Sequence, residues 1–201
     1  MIDPTHWENL QQADPGDVCR RSGAEYRSEE EAYLLKVLSD QVRVSPFTRQ
    51  VEWLDSAEHP KPPGFHYWLL TVCYLLGAKD ISPRGEWAPY RALPYGQFFF
   101  RGNHEIPTAA VADRYGDDGS AFLEAAQRLD GAPENGYGDY AATLPLLPRV
   151  PLLYVLWEGD EEFPPRVNVM FDPTISEHLM VDAILSGCEI ATKALVAAGD
   201  R

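Results

Sequence analysis

Residues 148–172, PRVPLLYVLWEGDEEFPPRVNVMFD, constrain the fold of this chain more than any other stretch. From Val150 to Trp157 the side chains are almost all apolar and rich in β-branched and aromatic types, the signature of a buried strand. From Arg166 to Phe171 polar and apolar residues alternate, as in a strand with one covered face. Together they predict a hairpin. Its connector, Glu158-Gly159-Asp160-Glu161-Glu162-Phe163-Pro164-Pro165, sets four carboxylates within five positions. Their mutual repulsion calls for solvent, a cation or a basic partner nearby.

The remainder of the chain supplies what such a hairpin needs to be covered. Its 201 residues, 45% hydrophobic, are enough for one core, so residues 1–201 are expected to form a single domain. Lys and Arg number 17 against 31 Asp and Glu, a net charge of −14 that repels phosphate backbones and anionic bilayers, so neither nucleic acid nor membrane is an expected partner. The first residues lack the basic and apolar regions of a signal peptide, and no run is long and apolar enough to span a bilayer, which predicts a cytoplasmic protein. Cys19, Cys73 and Cys188 are too dispersed for a zinc or iron–sulfur spacing and are expected to be reduced and mostly buried.

Along the chain, two short helices are predicted over residues 5–23, divided where Asp14 can cap and Pro15 can start the second, with Gly23 closing it. Residues 32–46 predict a hairpin turning at Ser39-Asp40, with a further extended piece at 50–54. A proline connector from His59 to Gly64 leads to FHYWLLTVCYLLG, apolar on nearly every face and ending at Gly77, as a central helix would. Residues 78–103 are irregular and carry Gly85-Glu86-Trp87 and a strand-like aromatic run, Phe98-Phe99-Phe100. Helices follow over 108–115 and 120–129, the second capped by Asp117 or Asp118. After the hairpin a last helix starts at Ser176 or Asp182, with Met180, Ile184, Cys188, Ala191 and Leu195 on one apolar stripe. This order predicts an α+β fold: a small, mainly antiparallel sheet with helices packed on one side.

Three features could carry chemistry. The acidic connector could hold a hard cation or split carboxylate pKa values, although it lacks the register of a calcium loop; pairing of its acids with Arg149 and Arg166 is the plainer account. His104, following the phenylalanines, could act as a metal ligand or general base, or could merely satisfy a helix end. The aromatics, Trp87 above all, could rim a pocket for a flat apolar ligand, or simply pack. No nucleophile elbow, phosphate-binding loop or dinucleotide fingerprint is present.

The string WEGDEEFPPRVNVMFD, preceded by FFFRGNHEIP and the GEW loop, resembles the domain-of-unknown-function family numbered 3786, over most of the chain. Members occur chiefly in anaerobic bacteria and archaea, some with an appended iron–sulfur domain, which implies an association with cobamide or one-carbon metabolism. This chain has no cysteine cluster, so whatever an iron–sulfur domain contributes would be absent or supplied by a partner. The resemblance carries over to Arg101, Gly102, His104, Pro107, Trp157, Gly159, Asp160, Glu161, Glu162, Phe163, Pro164 and Asp172, without assigning their roles.

The leading expectation is a non-catalytic binding or accessory protein for a corrinoid or haem. Its site would comprise Trp87, Phe99, Arg101, His104, Trp157, Asp160, Glu161, Glu162 and Arg166, in which His104 could be an axial metal ligand and Arg101 or Arg166 would meet peripheral carboxylates or amides. The alternative is an interaction module whose Asp160, Glu161 and Glu162 dock an arginine-rich partner. A metal-dependent enzyme using the same acids is the third. The cofactor expectation requires His104 and the acidic connector to line one cleft.

Overall fold

A computed structural model describes residues 4–54 and 62–200; His59 and the first part of the proline connector lie outside them. Helices α1 (Pro4–Gln12) and α2 (Pro15–Ser22) break where the sequence says they should. Asp14 accepts the Asp17 N–H at 2.7 Å, Pro15 opens α2, and Gly23, at φ 74°, closes it by donating to the Cys19 carbonyl. Strands β1 (Glu25–Arg27), β2 (Ala32–Val37), β3 (Asp40–Ser45) and β4 (Gln50–Trp53) then form a four-stranded meander.

Helix α3 (Phe65–Gly77) is buried over residues 70–75, while Phe65 at its start is exposed. Beyond it come the short β5 (Ala88–Pro89), the single turn α4 (Gly96–Phe99), α5 (Ala109–Tyr115) and α6 (Gly119–Arg128). Asp118 caps α6 by accepting the Ala121 N–H. The second sheet joins β5 to β6 (Ala132–Pro133), β7 (Tyr140–Leu147), β8 (Val150–Trp157) and β9 (Arg166–Phe171), in the order β5-β9-β8-β7-β6. A turn, α7 (Ile175–His178), precedes α8 (Val181–Ala198). The fold is α+β with every strand pairing antiparallel, and the strands divide between two small sheets.

The continuous apolar run of β8 is explained by cover on both of its faces. Leu152, Tyr154 and Leu156 point into the main core with Val167, Val169 and Phe171 of β9. Leu153 and Val155 face the other way and are buried just as fully, beneath Trp87, Tyr137, Trp157 and Met170. Helix α8 lies against the core side, where the wholly buried Tyr154 hydroxyl bonds Thr192 at 3.0 Å. Its stripe runs through Ile184, Cys188, Ala191 and Leu195, but Met180 stands at the N-cap and is exposed, because the chain is still extended there. The sheets meet where the Leu38 N–H donates to Leu146 of β7 at 3.1 Å.

Candidate functional site

Strand β9 is the feature around which the candidate residues gather. At its start, Trp157 and Arg166 are cross-strand partners, and the guanidinium lies over the indole at 4.2 Å from the ring centre. This cation–π contact occupies Arg166, while Arg149 bonds Asp80 at 2.6 Å; neither forms an ion pair with the acidic connector.

Half of the connector's acids serve to fold it. The Glu158 carboxylate accepts the Gly119 N–H at 2.9 Å, at the first residue of α6, where the unpaired amides favour an anion. Asp160 accepts the N–H groups of Glu162 and Phe163 at 2.8 and 2.7 Å, and its own N–H donates to the Phe163 carbonyl, so one carboxylate builds the turn. Gly159 donates to the Gly116 carbonyl at 3.0 Å and pins the tip to the end of α5; a Cβ on Gly116 would collide with Pro165. Glu161 and Glu162 are left exposed, and Phe163 beside them is 67% exposed. Between the connector and the strand ends lies a hollow of about 630 Å³ whose walls include Asp139, Trp157, Glu158, Asp160, Phe163 and Arg166.

A second recess, of about 700 Å³, runs along the outer side of β9 from Val167 to Met170. Its far wall is the segment carrying Phe100, Arg101, Glu105 and Ile106, and one end is closed by Pro89, Tyr90 and Arg91. Phe100 anchors that wall: it is 3% exposed and packs on Tyr90 and Phe171, with ring centres 5.6 and 6.4 Å away. On its inner side β9 pairs with β8 over its whole length, but on its outer side β5 reaches only Met170 and Phe171. Among the described residues, no other hydrogen bond reaches residues 166–169, so their outward backbone groups are unpaired, and residues 167–169 border the groove.

The residues singled out from the sequence separate into groups. Trp157, Asp160 and Arg166 share the hollow at the tip, and Arg101 lines the groove. Phe99 and His104 stack face to face at 4.6 Å and line neither recess. Trp87 covers Leu153 and Val155 on the face of the sheet opposite the main core. Glu161 and Glu162 project from the tip without lining its hollow. The two recesses have no residue in common and adjoin at the Arg166–Val167 step. The phenylalanine run proves to be a helical turn instead of a strand, because Tyr95 takes a left-handed conformation at φ 62° and Gly96 follows so close to the Tyr90 carbonyl that no Cβ fits. Among the described residues no three His, Cys, Asp or Glu side chains converge as metal ligands.

Sequence reasoning missed Arg91, Glu105, Ile106, Asp139 and Asn168 as lining residues. For Asn168 a signal existed, since the alternation of β9 places it off the core; the others reach the site only through tertiary packing. Asp172 has a structural role. It is buried and accepts the Thr174 hydroxyl at 2.6 Å, the Thr174 N–H at 3.0 Å and the Gly85 N–H at 2.8 Å, tying the Trp87 loop to the end of β9. Burial works to raise its pKa, but the donors from Thr174, Gly85 and Arg84 hold it below the usual carboxylate value.

A family model described as Domain of unknown function (DUF3786) matches residues 14–194. The chain belongs to that family. No curated protein and no solved structure matches it. The DUF3786 match spans both recesses and every candidate site residue, and among the described residues no helix is long and apolar enough to cross a membrane.

Proposed function

We propose that this chain is a non-catalytic binding protein that docks another polypeptide along the outer side of β9. The observation that supports it is the open strand edge at residues 166–169, set between a groove and the acidic tip. Unpaired backbone donors and acceptors beside apolar walls suit a peptide chain, which brings the matching groups at matching spacing. The exposed Glu161, Glu162 and Phe163 extend the surface and would meet a basic stretch of the same partner. We place the protein in the cytoplasm, in keeping with its three free cysteines.

Selection from a displayed library of random peptides is the direct test. Peptides enriched on the purified chain should slow amide exchange at residues 166–169 when bound. Enrichment of nothing, or protection confined to other surfaces, contradicts the reading.

A second reading keeps a planar cofactor of the corrinoid or haem type but without the acidic connector, which lines a recess that His104 does not. It is favoured by the flat Phe99–His104 stack, with His104 exposed, on the segment whose Arg101 lines the groove. Titration with a cobamide and with haem, followed by absorbance, tests it. A spectral change that disappears in His104→Ala supports this reading, and no change with either at micromolar protein removes it.

A further inference from the structure

The edge of β9 already accepts one added strand. The chain lays Ala88 and Pro89 against Phe171 and Met170, then turns away at Tyr90, so the outer ladder stops short of Val169 although β9 continues to Arg166. What lies beyond that stop is a groove of about 700 Å³, within the span of about 300–1,000 Å³ typical of ligand clefts. Its walls combine apolar Phe100 and Ile106 with two guanidinium groups, Arg91 and Arg101, and one carboxylate, Glu105.

The arginines indicate what the groove prefers. Among the described residues neither Arg91 nor Arg101 forms an ion pair, while most other arginines of this acidic chain do. Arg91 is held by Tyr90, bonding its hydroxyl at 3.2 Å and lying over its ring, but among the described residues neither guanidinium is neutralised by a carboxylate. Two cations against the single Glu105 therefore leave the groove locally positive on a molecule of net charge −14. An extended segment turns alternate side chains to opposite sides, so acidic residues at every second position can reach guanidinium groups while the others lie on Phe100 and Ile106.

We propose that the groove takes an extended peptide segment bearing alternate aspartate or glutamate residues, which pairs with residues 166–169 as a strand continuing the line of β5 while its carboxylates meet Arg91 and Arg101. This rests on the polypeptide-docking reading and specifies the chemistry of the partner. A second copy of the chain is the weaker occupant, because edge-to-edge pairing would oppose two bodies of like net charge and bring arginines towards arginines.

The test uses the full chain and two blocked hexapeptides, one alternating valine with aspartate and one alternating valine with lysine. The aspartate peptide should bind, slow exchange of the outward amides among residues 166–169, and lose affinity as salt rises. The double variant Arg91→Glu/Arg101→Glu should weaken it by at least about tenfold and should improve binding of the lysine peptide. Equal affinity for the two peptides, no binding of the aspartate peptide at about 1 mM, or binding without protection at 166–169 overturns the inference. So does a concentration-dependent dimer, seen by sedimentation, that protects these amides and excludes the peptide. If library-selected peptides still protect β9 while the aspartate peptide does not bind, the docking reading stands and the acidic-strand inference alone falls.

Discussion

The two edges of the five-stranded sheet are treated differently. On the β7 side, Ala132 and Pro133 pair with Thr143 and Ala142, the Glu134 N–H donates to Ala141 at 2.9 Å, the Thr143 hydroxyl donates to Ala132, and Leu38 of the other sheet reaches Leu146. On the β9 side, among the described residues, only Met170 and Phe171 have outer partners. An unpaired edge invites association with other chains, and folded proteins usually cover or shorten it. Here the chain covers one edge from several directions and leaves four residues of the other open beside a groove, with Arg166 held on Trp157 at the far end. The difference marks the β9 side as the place where an added strand would meet least competition.

The largest effect should come from Phe171, which is fully buried, pairs with both β8 and β5, and backs Phe100. Phe171→Ala should destabilise the fold by about 3–5 kcal/mol and loosen the groove wall, as read by urea denaturation and by exchange at β5. A loss below about 1 kcal/mol would show that the edge does not depend on this anchor.

Asp172→Asn comes next. It weakens bonds from Thr174 and Gly85, with an expected loss of about 1.5–3 kcal/mol, and it should extend the open edge by releasing β5. The pH dependence has a definite sign. Because the folded pKa lies below the ordinary 3.8, the contribution is complete above that value and is lost as pH falls through the folded pKa. The variant should lack this acid step; retention of the full step would assign it to other carboxylates.

His178 adds a step at higher pH. It is 2% exposed, and its Nδ1 accepts the Lys79 N–H at 3.2 Å. Burial lowers its pKa, Arg149 and Lys79 lower it further, and Glu177 and Asp172 oppose them. With the folded value below 6.5, the unfolded chain binds the proton first, so stability should decline as pH drops from about 6.5 towards the folded pKa. His178→Gln should flatten that decline in urea titrations; an unchanged profile would mean the proton binds elsewhere.

The smallest effect should be at the tip. Glu161→Gln with Glu162→Gln should shift stability by no more than about 0.5 kcal/mol, because neither acid folds the turn, whereas Asp160→Ala should cost about 1 kcal/mol through the loss of two backbone partners. Equal effects would mean that all the tip acids serve one purpose.

The frame was legible because local chemistry decides it. Asp14, Pro15 and Gly23 set the break between α1 and α2 through capping and φ preference alone, and the alternation of β9 placed Val167, Val169 and Phe171 inwards. The division of the strands into two sheets was not legible, since it depends on which edge each meander meets. Nor was the convergence of the groove walls: Arg101 was singled out and Asn168 had a signal, but Arg91, Arg101 and Asn168 come from three segments that meet only through tertiary packing such as that of Phe100 on Phe171. The aromatic run misled because three consecutive apolar residues suit a strand, and it is the left-handed Tyr95 before them that starts a helical turn. Asp172 and Gly85, 87 residues apart, made two separate motifs in the sequence that are one hydrogen-bonded knot in the fold.

Amide hydrogen exchange along β7 and β9 of the free protein tests the central claim most directly. The outward amides among residues 166–169 should exchange fast, alternating with slow ones bonded to β8, while the amides that pair β7 with β6 and β8 stay slow. Uniformly slow exchange from Arg166 to Phe171 in the absence of any ligand would mean that the β9 edge is closed, and would contradict the account.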